Sequence, residues 1–436
     1  MFPLSLIAKA PIMKHILAGL ALVVGALSGV VSAETPVLEK GDRLAIIGDS
    51  ITEQKLYSKF IETYLLACYP ELEIQTFQFG WGGERAPGFA ARMENDLVPW
   101  TPDVVTTCYG MNDGSYREYT EQIGKTYEEG MRRIIDRMQK AGATIVVGSP
   151  GVVDSFTWQR GNPEFDQVYN DNLKHLGQIA NELAKESKSP HADVFGEMMK
   201  SMKAAKAELG EEYPVAGGDG VHPGANGHLL MAYAFLKALG LDGKIGTITV
   251  DLSADKVEAT TGHKVLNNSD GKIELESNRY PFCFYGGYID PNGTSSILPY
   301  TQFDEEMNRF ILKVTGLETP RAEVTFGEST KIYTWEELKS GINLATDFQD
   351  NPFVEPFKQV MNEVARKQAF ETQMIKGIVT NFRQMPGELA DDPEVQNALN
   401  TIRRKMTEID DAAYQKAKSA VKPVQYTITV RPLSFN

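Results

Sequence analysis

Arg43-Leu44-Ala45-Ile46-Ile47-Gly48-Asp49-Ser50 is the stretch from which the fold can be read. The apolar run from Leu44 to Ile47 is short and closes on a glycine and an acid, which predicts a buried strand over residues 43–47. A serine placed just after a strand stands at that strand's C-terminal edge. Far downstream lies Asp219-Gly220-Val221-His222, followed by Pro223. An Asp and a His three positions apart can share one loop and both reach such a serine. Hydrolysis by a serine needs a nucleophile, a base to take its proton and a carboxylate to orient the base.

Working outward, strand-like and helix-like segments alternate from 43 to 240. Residues 55–68 carry apolar side chains at 56, 60, 61, 64 and 65, the spacing of an amphipathic helix. Residues 73–79, 103–108, 144–147 and 192–195 read as further strands, and 119–140, 167–187 and 227–239 as helices. Repeated β-α order with apolar strands means an α/β fold, a parallel sheet covered on both faces in three α/β/α layers. In such sheets the chemistry sits at the carboxyl ends of the strands. Ser50, Gly83 and Asn112 all follow expected strands.

From about residue 246 the pattern changes. Short strand candidates at 247–252, 272–276, 310–314 and 322–326 predict a small antiparallel β region. Residues 335–419 read as mostly helical, and an alternating strand at 426–430 follows, with no assigned partner. The expected division is a leader over 1–33, a catalytic domain over 34–243, a β-rich region over 244–334 and a helical region over 335–436 that ends in a strand.

The leader is read from Lys9 and Lys14, the apolar stretch from Ile16 to Val31 and the ending Val31-Ser32-Ala33. Charge, short apolar core and small-x-small ending are the marks of a secretory signal peptide, so the expected location is secreted or periplasmic. Its removal takes the formal charge of this 436-residue chain from −14 to −16. A surface that acidic disfavours nucleic acid and anionic lipid as partners. No span after the leader is long and apolar enough to cross a membrane. Three cysteines, Cys68, Cys108 and Cys283, with no CxxC, imply neither a disulfide framework nor a zinc ribbon. No metal-binding motif occurs, so no cofactor and no metal is expected. The sequence leaves the oligomeric state open.

Four segments occur in order: Gly48-Asp49-Ser50-Ile51-Thr52, Gly80-Trp81-Gly82-Gly83-Glu84, Gly110-Met111-Asn112-Asp113, and Asp219-Gly220-Val221-His222-Pro223 with Gly227-His228 after it. Together they resemble the SGNH hydrolases, also called the GDSL esterase/lipase family, over residues 42–240. The resemblance implies the flavodoxin-like sheet of that family. It implies Ser50 as nucleophile, His222 as base and Asp219 as the group that orients His222. It also implies an oxyanion hole formed by the backbone N–H groups of Ser50 and Gly83 and the side-chain amide of Asn112. Gly80 and Gly82 are alternatives to Gly83. Two positions depart from the family pattern: Gln78-Phe79 precedes Gly80 where an Asn is frequent, and Met111 stands where small residues are common. Both bear on the pocket.

The loop residues Trp81, Trp100, Tyr116, Trp158 and Arg160 suggest a carbohydrate subsite, because aromatic rings stack on sugar faces. Trp81, Glu84, Arg85 and Trp158 are the candidate substrate contacts. The expected activity is ester hydrolysis through an acyl-enzyme, with O-acetyl groups on a small carbohydrate or polysaccharide as substrate. A lipase or thioesterase of the same family is the enzymatic alternative, and a non-catalytic carbohydrate-binding surface protein is the other.

Overall fold

Side chains alternate across a strand, and the first strand uses that alternation to serve two cores at once. In the computed structural model, which describes residues 37–154, 156 and 165–433, β1 spans Arg43–Gly48. Leu44 and Ile46 face one apolar layer, Ala45 and Ile47 the other. The strand therefore reads as a continuous hydrophobic run. The leader expected over 1–33, Trp158 and Arg160 lie outside the described residues.

Four more strands join it: β2 (Gln75–Gln78), β3 (Val104–Cys108), β4 (Thr144–Gly148) and β5 (His191–Ala192). All pair in parallel, in the order β2-β1-β3-β4-β5. This is the flavodoxin-like order, in which the chain reverses its direction of winding between β1 and β3 and leaves a crevice at the carboxyl ends there. Gly48 pairs with Cys108, and Cys108 with Gly148, so β1, β3 and β4 end level. Helices Tyr57–Cys68 and Ala225–Ala238 cover one face; Ala86–Asp96, Glu121–Lys140 and much of Phe165–Ser187 cover the other.

The strand expected over 192–195 is only His191–Ala192. Asp193 caps a helix instead, accepting from the Gly196 N–H at 2.9 Å, and Val194–Leu209 follows. The strand expected from 73 begins at Gln75, because Glu73 takes a left-handed conformation (φ +53°) that breaks extension.

The β-rich part comprises β6 (Lys244–Asp251), β7 (Lys256–Ala259), β8 (His263–Ser269), β9 (Lys272–Ser277), β10 (Arg309–Thr315), β11 (Arg321–Phe326), β12 (Ser329–Thr334) and β13 (Ile342–Asn343). It is not wholly antiparallel as expected. β10 pairs with β6 in parallel within the sheet β13-β10-β6-β7. The intervening chain, which includes a hairpin and the segment up to Met307, is long enough for the crossover a parallel return requires. The last strand, β14 (Val424–Pro432), lies in the centre of the second sheet, β12-β11-β14-β9-β8, with antiparallel neighbours on both sides. Among the described residues no helix is long and apolar enough to cross a membrane.

Helices Val354–Gln373 and Pro393–Ala420 return to the parallel sheet and cover its β2 edge. Lys367 Nζ donates to the Thr76 carbonyl at 2.6 Å, and the Gln78 N–H donates to Glu371 at 2.9 Å. The unpaired groups of an edge strand are thus satisfied by side chains. Lys367 also pairs with Glu371 and, at 3.1 Å, with Glu62, all three fully buried. Burial alone favours a neutral amine, but Glu371, Glu62 and Asp410 outweigh it and hold Lys367 charged. Lys367→Met would leave these buried carboxyl groups without their cation. The expected loss is about 3–5 kcal/mol of stability, seen as a lower urea midpoint; an unchanged midpoint would show that the cluster carries no net stabilisation.

Candidate active site

Ser50 is presented by a turn too tight for most residues. A Cβ on Gly48 would lie 2.1 Å from Thr52 Oγ1 and 2.8 Å from the Cys108 carbonyl, so only glycine lets β1 end there. Asp49 then caps the short helix Ser50–Glu53 by accepting from the Ile51 N–H at 2.9 Å. Burial pushes the Asp49 carboxyl up to about 7, against the pull of that N–H. Asp49 thus shapes the turn while Ser50 faces outward.

Ser50 Oγ lies 2.8 Å from His222 Nε2, and His222 Nδ1 lies 2.7 Å from Asp219 Oδ2. The other Asp219 oxygen accepts from the N–H groups of Val221 and His222, at 2.9 and 2.8 Å. Partial burial raises the Asp219 carboxyl, but the hydrogen bonds from His222 and Val221 more than offset this and hold it below the ordinary carboxylate value. Gly220 takes a φ of +75°, and its carbonyl accepts from the Asp154 N–H at 2.9 Å, which ties this loop to the chain after β4. In this arrangement a histidine with a charged carboxylate behind it can draw a proton from a serine hydroxyl.

Two further loops follow β2 and β3, the strands on either side of β1. Gly83 has φ +72°, a conformation side chains disfavour. Among the described residues, the N–H groups of Ser50 and Gly83 donate to no other group. Asn112 is oriented from both ends of its amide: the Tyr116 hydroxyl donates to Oδ1 at 3.0 Å, and Nδ2 donates to the Glu84 carbonyl at 3.1 Å. One Nδ2 hydrogen remains for a ligand. Ser115 and Tyr116 are both left-handed (φ +58° and +53°), uncommon for non-glycine residues and found at functional turns. Asp113 accepts from the Ala86 and Gly110 N–H groups, at 2.9 and 3.0 Å, and so joins these two loops. Among the described residues no cluster of three His, Cys, Asp or Glu side chains could hold a metal ion.

Residues 46–230 match the GDSL-like lipase/acylhydrolase family. This segment belongs to that family. The chain is an ester-hydrolysing enzyme. It is similar to an acetylxylan esterase from Geobacillus stearothermophilus, 26% identical over 228 residues that cover 46% of this chain and 95% of that protein. The solved structure of a gut microbial diltiazem-metabolizing enzyme is similar in fold, with a TM-score of 0.71 and 22% identity over 91% of this chain and 98% of that one. That fold likeness extends beyond the acylhydrolase segment into the β-rich and helical parts.

The candidate substrate contacts of the acylhydrolase segment separate. Arg85 is exposed and has no ion-pair partner among the described residues. The Glu84 carboxylate is buried against Arg92 at 2.6 Å and accepts from the Tyr109 hydroxyl at 3.0 Å. The Arg92 guanidinium and the Lys376 ammonium lie 5.0 and 4.8 Å from the centre of the half-buried Trp81 ring. Trp100 is core, packed 5.6 Å from Phe77. Trp158 lies outside the described residues. Arg92, Tyr109 and Glu53 belong to the site's framework without having been flagged by sequence. For Arg92 a signal existed: with Phe89, Met93 and Asp96 it lies on the inward face of Ala86–Asp96.

His228, six residues past His222, is a buried packing residue. Its Nδ1 accepts from the Tyr57 N–H at 3.2 Å, its Nε2 lies 3.0 Å from Gln54 Oε1, and its ring stacks on Tyr57. Burial pulls its pKa down from 6.5 to about 3. The unfolded chain therefore binds a proton below about pH 6.5 that the folded chain refuses, and this stability is lost as pH falls toward 3. Between pH 7 and pH 4, His228 should account for ~3 kcal/mol of acid destabilisation. Urea melts at both pH values should show a shallower pH dependence in His228→Gln than in wild type; equal slopes would refute the neutral buried histidine.

Proposed function

We propose that Ser50 is the nucleophile, His222 the general base and Asp219 the group that orients it. The hydrogen-bonded line from Ser50 Oγ through His222 to Asp219, at 2.8 and 2.7 Å on the strand-end face of the sheet, carries this reading. His222 takes the serine proton as Oγ attacks the ester carbonyl. The tetrahedral oxyanion is met by the N–H groups of Ser50 and Gly83 and by Asn112 Nδ2. His222 returns the proton to the leaving alcohol, and water, activated the same way, releases the acid from the acyl-enzyme.

The substrate we infer is an O-acetyl group on a carbohydrate, and the enzyme an exported one. The relation to an acetylxylan esterase supports the acyl and glycan choice. The leader composition and the acid surface support export. Arg85, exposed two residues after Gly83, is the side chain we assign to meet a sugar hydroxyl or ring oxygen.

Hydrolysis of p-nitrophenyl acetate, p-nitrophenyl octanoate and an acetylated xylo-oligosaccharide tests these assignments. Acetate and the oligosaccharide should turn over and octanoate should not; preference for octanoate would point to a lipase. Ser50→Ala should lose ~10⁴–10⁶ in kcat and Asp219→Asn less, about 10⁴, because the base survives in the wrong tautomer. A Ser50→Ala chain at the wild-type rate would overturn the mechanism. The exported protein should begin at Glu34 when its N-terminus is sequenced; an intact Met1 would refute the leader.

A further inference from the structure

We propose that Lys376, from the C-terminal helical part and outside the acylhydrolase segment, is a positioning residue for the oxyanion hole and acts through Glu53. The run Gly80-Trp81-Gly82-Gly83 carries one side chain, so it cannot fix its own conformation and needs outside anchors. The first is the Trp81 N–H, which donates to the Gly48 carbonyl at 3.0 Å. The second is Glu53, the last residue of the helix that begins at Ser50. One Glu53 oxygen accepts from the Gly82 N–H at 2.5 Å, and the other pairs with Lys376 Nζ at 2.6 Å. The peptide after Gly82 carries the Gly83 N–H, so the carboxylate fixes the residue next to the proposed oxyanion donor. Lys55 Nζ donates to the Glu53 carbonyl at 2.7 Å and holds the backbone of the same residue.

Lys376 is itself held in place. It sits on a wide helical turn, Met374–Ile378, of a kind frequent at functional sites. Met374 and Ile375 beside it are buried in the core under the catalytic sheet, and its ammonium lies against the Trp81 ring. The cation has two effects. It fixes the carboxylate that grips Gly82. It also cancels a negative charge that would otherwise stand beside the site where the oxyanion develops, where it would oppose the transition state more than the bound ester.

The inference rests on the Ser50 reading, and the test separates the two. Full-length Lys376→Gln, Lys376→Arg, Glu53→Ala and the double Glu53→Gln/Lys376→Gln would be compared with wild type and Ser50→Ala, with kcat and KM measured on p-nitrophenyl acetate. Lys376→Gln should lower kcat by ~10-fold or more, the scale of a small misplacement at a reacting centre, with KM nearly unchanged. Lys376→Arg should keep most of kcat. The double variant should regain part of the loss, because the lone carboxylate is gone. Wild-type kcat in Lys376→Gln, a change confined to KM, or a double variant worse than the single would each overturn the inference. Should Lys376→Gln not fold, Glu53→Ala reads the same contact, and wild-type kcat there is equally fatal. Activity retained in Ser50→Ala overturns both readings; an inactive Ser50→Ala beside a fully active Lys376→Gln overturns this one alone.

Discussion

The open edge of β2 is the constraint on which much else depends. A parallel sheet that ends in a four-residue strand exposes N–H and C=O groups that must be covered. Lys367 and Glu371 cover them from a helix near the far end of the sequence. The same helix continues inward: Thr372 Oγ1 donates to Gln78 Oε1 at 3.2 Å, and Gln78 Nε2 donates to the Thr52 carbonyl at 2.9 Å. Thr52 lies two residues from Ser50. Closing the sheet edge and steadying the serine's helix are therefore one chain of hydrogen bonds. Gln78, which departs from the family pattern, is the residue that links them.

Closing an edge with charge requires placing a lysine and several carboxyl groups out of water, which is costly unless each finds a partner. Asp410 shows the strain of that arrangement, its carboxyl pushed up to about 6 by burial despite the nearby Lys367. The opposite flank uses the same device. Arg92 is bound by Glu84 and Asp96 and donates to the Phe79 carbonyl at 2.9 Å, just after β2. Two buried cations thus grip the chain on either side of Gln78, and the glycine loop begins just after the second.

What was legible in the sequence follows from local physics. Strands buried on both faces read as apolar runs, so the sheet and its strand-end loops could be placed from residues 43–147. Glycines in a turn and an Asp three residues before a His are local too. What was hidden depends on partners distant in sequence. The tie from Glu84 to Arg92 is nearer, eight residues on, but it crosses from a loop onto the following helix and no local pattern marks it. The cation on the Trp81 ring was hidden because Lys376 is far away in the chain. β8 ends in Leu266-Asn267-Asn268-Ser269, a polar and largely exposed run whose strand character comes from pairing with β9. The place of β14 in mid-sheet is likewise a matter of tertiary pairing.

The two halves of the site are therefore built differently. The Asp219–His222 part of the acid-base line is a local product, and the fold brings Ser50 to it from 172 residues away. Asp219 remains more than half exposed, and against the raising effect of its partial burial the hydrogen bonds from His222 and Val221 hold its pKa low. The loop is anchored to the fold by the Gly220 carbonyl and by Val221, which is buried in the core. The oxyanion side is a global product. The donors proposed for it are backbone groups and one amide, each oriented by residues on other elements: Glu53 and Trp81 for the glycine run, Tyr116 and the Glu84 carbonyl for Asn112, Asp113 between the loops. Backbone donors cannot be chosen by side-chain identity; they can only be aimed by whatever holds the chain around them. A chain with an oxyanion loop this rich in glycine depends on anchors elsewhere, and here they reach from β1 to the C-terminal helices.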